Sequence, residues 1–190
     1  MSTTPAAITS AAPGTVTTWK TDPAHSHAEF KVKHMMISNV KGSFSGISGT
    51  LLLDETDYTH SKVEVDIPVD SLTTGDAQRD GHLKSPDFFE ADKFPTMTFK
   101  STNIDSNGGA DYAVTGDLTI HGVTKSVTLA VEDLSEPSKD PWGNHRIGLS
   151  AATRINRKDF GLTWNSALDS GGVLVGEDVA INLEVQFIKG

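Results

Sequence analysis

The chain has 190 residues, no cysteine and a formal net charge of −9. That length favours one domain able to bury roughly 70% of its unfolded surface, so it needs no disulfide staple, and without cysteine none can form. The acidic balance argues against phosphate-backbone binding, which requires clustered Lys and Arg, and disfavours docking on anionic lipid by charge alone.

Residues 1–15 are rich in Ala, Thr, Ser and Pro and lack a basic stretch followed by an apolar one. They read as a disordered leader rather than a signal peptide, which points to a cytoplasmic chain. The globular domain is expected over residues 16–190. Its apolar runs are only a few residues long, too short for stable membrane insertion.

Val16 to Lys20 predicts a first short strand, and Thr21-Asp22-Pro23 a turn. From Ala28 to His34, Ala28, Phe30, Val32 and His34 share one face while Glu29, Lys31 and Lys33 share the other. That is the period of a half-buried strand. Met35 to Lys41 predicts a connector of no defined form. Gly42, Gly46 and Gly49 lie in strand-like sequence and predict one sharply bent or bulged strand up to Asp54. Val63, Val65, Ile67 and Val69 alternate with polar residues and Pro68.

The stretch from Gln78 to Glu90 does not alternate. Asp76 can cap a short helix running to about Leu83, and Ser85-Pro86-Asp87 can end it and start a second turn. Strands resume at Thr96, with Met97 and Phe99 on one face. Asn107-Gly108-Gly109 and His121-Gly122 predict tight turns on either side of a strand with Tyr112, Val114, Gly116, Leu118 and Ile120 on one face. Val127 to Val131, Ile147 to Ile155 and Val179 to Phe187 complete the alternating segments.

The fold class is therefore all-β, with eight or nine strands, mainly antiparallel, and one or two short helices near residues 76–90. One helix cannot cover so many apolar faces, so the sheet packs on a second sheet or closes on itself. Small residues on the inward faces (Ala28, Gly116, Ala151, Thr153) favour a closed barrel with a cavity; a fully packed core is the alternative.

Several strings along the chain carry a resemblance. They are Asp22-Pro23-Ala24-His25-Ser26, Val40-Lys41-Gly42-Ser43-Phe44, the run from Arg79 to Phe89, Phe94-Pro95 with Thr98-Phe99, Gly116 to Lys125, Ile155 to Leu162, and Gly171 to Val175. In this order and spacing, from about Trp19 to Ile188, the chain resembles the YceI-like family, the lipocalin-like polyisoprenoid-binding proteins. The resemblance implies an extended antiparallel barrel of about eight strands with a long apolar cavity. It implies a bound isoprenoid, isoprenoid quinone or fatty-acid-like ligand, no other cofactor, no established catalytic reaction and a homodimer. Many such proteins carry a secretory signal, and this chain departs from them there.

A long-chain lipid needs apolar wall for its tail and a few placed polar groups for its head. Candidate wall residues are Phe30, Val32, Phe44, Phe88, Phe89, Phe99, Leu118, Leu149, Phe160 and Trp164. Arg79 and His82, three apart on the expected helix, are candidates for the head, with Asp80 orienting Arg79. Asn156 and Arg157 are secondary candidates, and a structural Arg-Asp-His network is the competing reading of the helix. Two rival chemistries remain: a metal-dependent enzyme built on His25, His27 and His34, and a hydrolase using Ser26, His82 and Asp80. A packed barrel acting through its surface is a third reading. The sequence leaves transport, storage, sensing and stress protection open.

Overall fold

The computed structural model describes residues 14–190. The leader expected over residues 1–15 lies, up to residue 13, outside the described residues. The strands are β1 (Val16–Thr21), β2 (His27–His34), β3 (Ser38–Phe44), β4 (Ser48–Asp54), β5 (Lys62–Pro68), β6 (Thr96–Gly108), β7 (Asp111–Ile120), β8 (Val123–Glu132), β9 (Ser138–Lys139), β10 (His145–Asn156) and β11 (Val175–Lys189). One α-helix, α1 (Ala77–Lys84), and four short 3-10 turns complete the described residues.

The strands pair in the order β11-β1-β4-β5-β6-β7-β8-β10, and β10 pairs back onto β11. That closing seam is long, running in register from Arg146↔Ile188 to Asn156↔Asp178. The result is an eight-stranded antiparallel barrel, closed because the alternating apolar faces have no other layer to bury them. The hairpin β2–β3 extends the wall at one end, where β2 pairs with the first half of β11 from Val175↔His34 to Glu184↔His27. The β1 strand takes the other half, from Thr21↔Phe187 to Trp19↔Lys189.

One expectation changes. The predicted bent strand over 42–54 is two strands, β3 and β4, separated at Gly46, whose φ of +66° only glycine adopts without cost. Of the one or two short helices expected near residues 76–90 one forms, and residues 85–89 after it are turns, with the Phe89 amide donating to the Leu83 carbonyl. The expected short helix does form, and its cap is Asp76, whose carboxylate accepts from the Arg79 amide at 2.9 Å.

At the end built by β2–β3 the ring of strand ladders is incomplete. The outer edge of β3 is joined onward only by the bridge Ser43↔Thr73. The segment from Val69 to Pro95, including α1, completes the wall there without a strand ladder. At the opposite end, buried Trp19, Leu51, Leu53, Ile147, Val185 and Phe187 form a compact cluster.

Candidate functional site

A cavity of about 270 Å³ runs through the barrel. Its inward faces supply Ala28, Phe30, Val32 and Phe44 from β2 and β3, Phe99, Leu118, Leu149 and Ala151 from β6, β7 and β10, and Ile181 and Leu183 from β11. Tyr58, Ser61, Tyr112 and Leu134 line one end; Leu83, Phe88, Phe89, Arg157 and Val175 line the other. An engineered apolar cavity of about 150 Å³ stays dry and takes up benzene, so this larger apolar space suits an apolar guest better than water.

The cap over the second end is held by short local bonds. Asp80 accepts from the Thr74 amide (2.8 Å) and hydroxyl (2.6 Å), and these bonds draw its pKa below the usual carboxylate range. Lys84 donates to the Asp70 carbonyl at 2.8 Å. This anchoring swings the turns after α1 back over the barrel, so Phe88 and Phe89 point into the cavity. The Phe89 ring meets Phe44 edge to face at 5.7 Å, and Phe44 in turn meets Phe30 at 5.7 Å.

The predicted site residues fall into two groups. Phe30, Val32, Phe44, Phe88, Phe89, Phe99, Leu118 and Leu149 all line the cavity. Arg79, His82, Phe160 and Trp164 do not. Arg79 turns away along its own helix and donates from Nε to the Thr74 hydroxyl (2.8 Å) and from Nη2 to the Thr74 carbonyl (3.1 Å). The Nε2 of His82 meets the Asp87 carboxylate at 2.8 Å, and its ring stands edge-on to Trp164 at 4.7 Å. Trp164 packs over Phe88 at 5.3 Å from outside the cavity, and Phe160 is buried in the neighbouring core. The arginine and histidine three apart therefore have separate partners, Thr74 and Asp87, and neither lines the cavity.

Of the small residues expected to widen the interior, Ala28, Ala151 and Thr153 do line it. Gly116 does not, because the Phe99 ring fills the space above it.

Two charged residues line the cavity. Glu29 of β2 is exposed. Arg157, at the start of a 3-10 turn (Arg157–Phe160) after β10, is buried. Its Nε donates to the Gly176 carbonyl (2.8 Å), its Nη1 to those of Leu162 (2.6 Å) and Trp164 (2.9 Å), and its Nη2 to that of Val175 (3.3 Å). These bonds tie the irregular loop over 162–174 to the barrel and leave one Nη2 hydrogen over. Among the described residues no carboxylate lies within ion-pairing distance of it. Burial pulls its pKa below the usual arginine value. Asn156 caps the same turn through a bond from the Lys158 amide at 2.9 Å and takes no place in the cavity wall.

The rival constellations do not assemble. His25 Nδ1 meets Asp22 at 2.8 Å, His27 lies 3.8 Å from Glu29, and His34 ends β2. Among the described residues no group of three or more His, Cys, Asp or Glu is arranged to hold a metal ion. Ser26 is buried and bonded to the backbone of Gln186, while Asp80 and His82 have the separate partners given above. His121, in its tight turn, packs its ring on Phe94 at 4.8 Å and leaves Nε2 buried, 3.4 Å from Glu90.

Comparison with known proteins agrees with this architecture. The YceI-like domain profile matches residues 19–187. A UPF0312 protein of Staphylococcus aureus strain N315 is 38% identical over 173 residues, covering 90% of this chain and 98% of that protein. The crystal structure of Burkholderia cenocepacia BcnA superposes with a TM-score of 0.75 at 25% identity, over 87% of this chain and 98% of BcnA. A polyisoprenoid binding domain from Saccharophagus degradans, implicated in plant cell wall breakdown, has a TM-score of 0.64 at 17% identity, over 93% of this chain and all of that domain. That last likeness is one of fold.

Proposed function

Since the chain belongs to the YceI-like domain family, we propose that it is a non-catalytic carrier or store that holds a polyisoprenoid or a similar long-chain amphiphile inside the barrel. The observation that carries this reading is the continuous apolar cavity with a single buried cation, Arg157, in its wall. The fold shared with a polyisoprenoid binding domain supports it.

The chemistry divides between tail and head. Burying roughly 200 Å² of apolar tail is worth about 5 kcal/mol before the costs of association. That term depends on area and discriminates little between tails. The head is selected by Arg157: its remaining Nη2 hydrogen suits an oxygen acceptor, and its buried charge, with no carboxylate within ion-pairing distance among the described residues, favours a polar or anionic head. A tail that outgrows the cavity takes its space by displacing half-buried wall side chains such as Phe89 and Leu83.

The direct test is native mass spectrometry of freshly purified chain, followed by organic extraction of what is released. A long-chain molecule at about one per chain is expected, and Ala151→Trp, which fills the middle of the cavity, should abolish it while the barrel still melts cooperatively. A folded Ala151→Trp variant with undiminished lipid uptake would sink an interior site.

A further inference from the structure

The β2–β3 hairpin carries three features that neither folding nor an interior ligand requires. Its tip is apolar and exposed: Met35, Met36 and Ile37 are 39%, 59% and 80% accessible. Met35 and Met36 both have positive φ, 51° and 59°, where Asn or Gly would be expected. Behind the tip, Lys31 and Lys41 face each other directly across the two strands, and Lys33 lies two residues further along. Like charges placed opposite one another on a sheet oppose its pairing.

The charge pattern is equally local. The chain has 25 acidic residues, yet none lies between Glu29 and Asp54. Among the described residues none of the three lysines has a carboxylate within ion-pairing distance. An acidic protein thus has its longest carboxylate-free stretch here, with exposed lysines behind an apolar tip. Local rules broken together at one place mark a functional surface.

From these observations we infer that the β2–β3 hairpin is a peripheral docking element for an anionic phospholipid bilayer. Met36 and Ile37 enter the boundary between head groups and acyl chains, and Lys31, Lys33 and Lys41 rest on the lipid phosphates. The position fits lipid exchange. Val32 and Phe30 on β2 line the cavity, and Val32 is about 10 Å along the strand from Met35 at the usual rise. The Met35 amide also donates to the Leu174 carbonyl at 2.7 Å, coupling the tip to the loop that Arg157 holds. The net charge of −9 turns the rest of the molecule away from the same surface. This role in lipid exchange rests on the carrier reading, whereas the docking itself is measured separately.

The test is flotation of the full chain with vesicles of phosphatidylcholine alone or with phosphatidylglycerol. The native chain should float with the anionic vesicles and lose binding as salt is raised. Ile37→Asp should weaken flotation at least tenfold, and Lys31→Glu with Lys41→Glu should also weaken it, each lysine near such a surface being worth about fivefold. Ile37 is exposed, so its variant keeps its melting temperature and its uptake of a water-soluble fluorescent amphiphile. A native chain that floats with neither vesicle overturns the proposal, as do variants that float undiminished. A chain that ignores vesicles but self-associates until Ile37→Asp is introduced overturns it in favour of a second copy as the occupant. A chain that floats as expected but takes up no amphiphile keeps the docking surface and sinks the carrier reading instead.

Discussion

The Phe99 ring lies directly over Gly116 on the neighbouring strand, so close that a Cβ at Gly116 would stand 2.5 Å from Phe99 Cζ and 2.5 Å from the Lys100 carbonyl oxygen. The ring could turn aside, but the carbonyl belongs to the β6–β7 ladder and cannot. Gly116→Ala should therefore cost about 1–3 kcal/mol. For a chain of this size that lowers the melting temperature by roughly 2–12 °C. Calorimetry of the purified variant checks it, and an unchanged melting temperature would mean that the strands separate locally at little cost.

Asp22 makes stability depend on acid. Its carboxylate accepts from Arg146 Nη1 at 2.6 Å and pairs with His25 Nδ1 at 2.8 Å. Arg146 foremost, then His25, lowers its pKa from 3.8 to about 2. Arg146 also donates from Nε to Asp140 at 2.7 Å, which holds that second carboxyl well below the usual range. A folded pKa below the unfolded one means that the stabilisation is complete above about pH 4 and drains away as pH falls toward 2. Asp22→Asn should lower stability at neutral pH and flatten the loss between pH 4 and 2. Urea melts at several pH values measure this, and parallel curves for both proteins would remove Asp22 from the account.

Arg79 and Arg157 should behave oppositely. Among the described residues the Arg79 side chain is bonded only to Thr74, so Arg79→Ala should change stability by at most about 1 kcal/mol and leave the affinity for anionic and neutral amphiphiles alike within twofold. Replacing Arg157 by Met takes the arginine donor from the carbonyls of Leu162, Trp164 and Gly176, while that of Val175 keeps the Asn165 Nδ2 donor at 2.8 Å, and should cost about 3 kcal/mol or more. In the same variant, at a temperature where it is folded, amphiphiles with anionic heads should lose more affinity than neutral ones of equal tail. Equal losses for both would assign Arg157 to loop anchoring alone.

The contrast between these arginines shows what the sequence could reveal. The strand faces were legible because alternation at period two is a direct readout of in and out, and Phe30, Val32, Phe99 and Leu118 line the interior as their parity requires. The start of α1 was legible because Asp76 stands where a cap must. Which face of α1 meets the barrel was not: the helix buries none of its residues, so the spacing of Arg79 and His82 says only that they are neighbours. Arg157 was a secondary candidate because its partners are backbone carbonyls of an irregular loop and of the start of β11, which leave no pattern in side-chain identity. Gly116 has the parity of a wall residue, but only the coordinates show that Phe99 has taken its space.

Phe89 governs how long a tail the barrel can take. It is half-buried, lines the cavity and packs edge to face on Phe44 at 5.7 Å, on a turn fixed by the bond from its amide to Leu83. A tail that outgrows the unliganded space must move this ring and give up its contacts. Phe89→Ala removes that cost in advance while destabilising the free protein by about 2–3 kcal/mol, less than a fully buried phenylalanine. Titration with two amphiphiles sharing one head group, one tail of about ten carbons and one of about twenty, should then show the affinity ratio shifting toward the longer tail by roughly tenfold, about 1.4 kcal/mol. The shorter tail, which fits the existing space, should gain little and can lose affinity along with the aromatic contact. A ratio unchanged from the native chain would show that the longer tail enters without displacing Phe89, and would move the point of entry away from the cap.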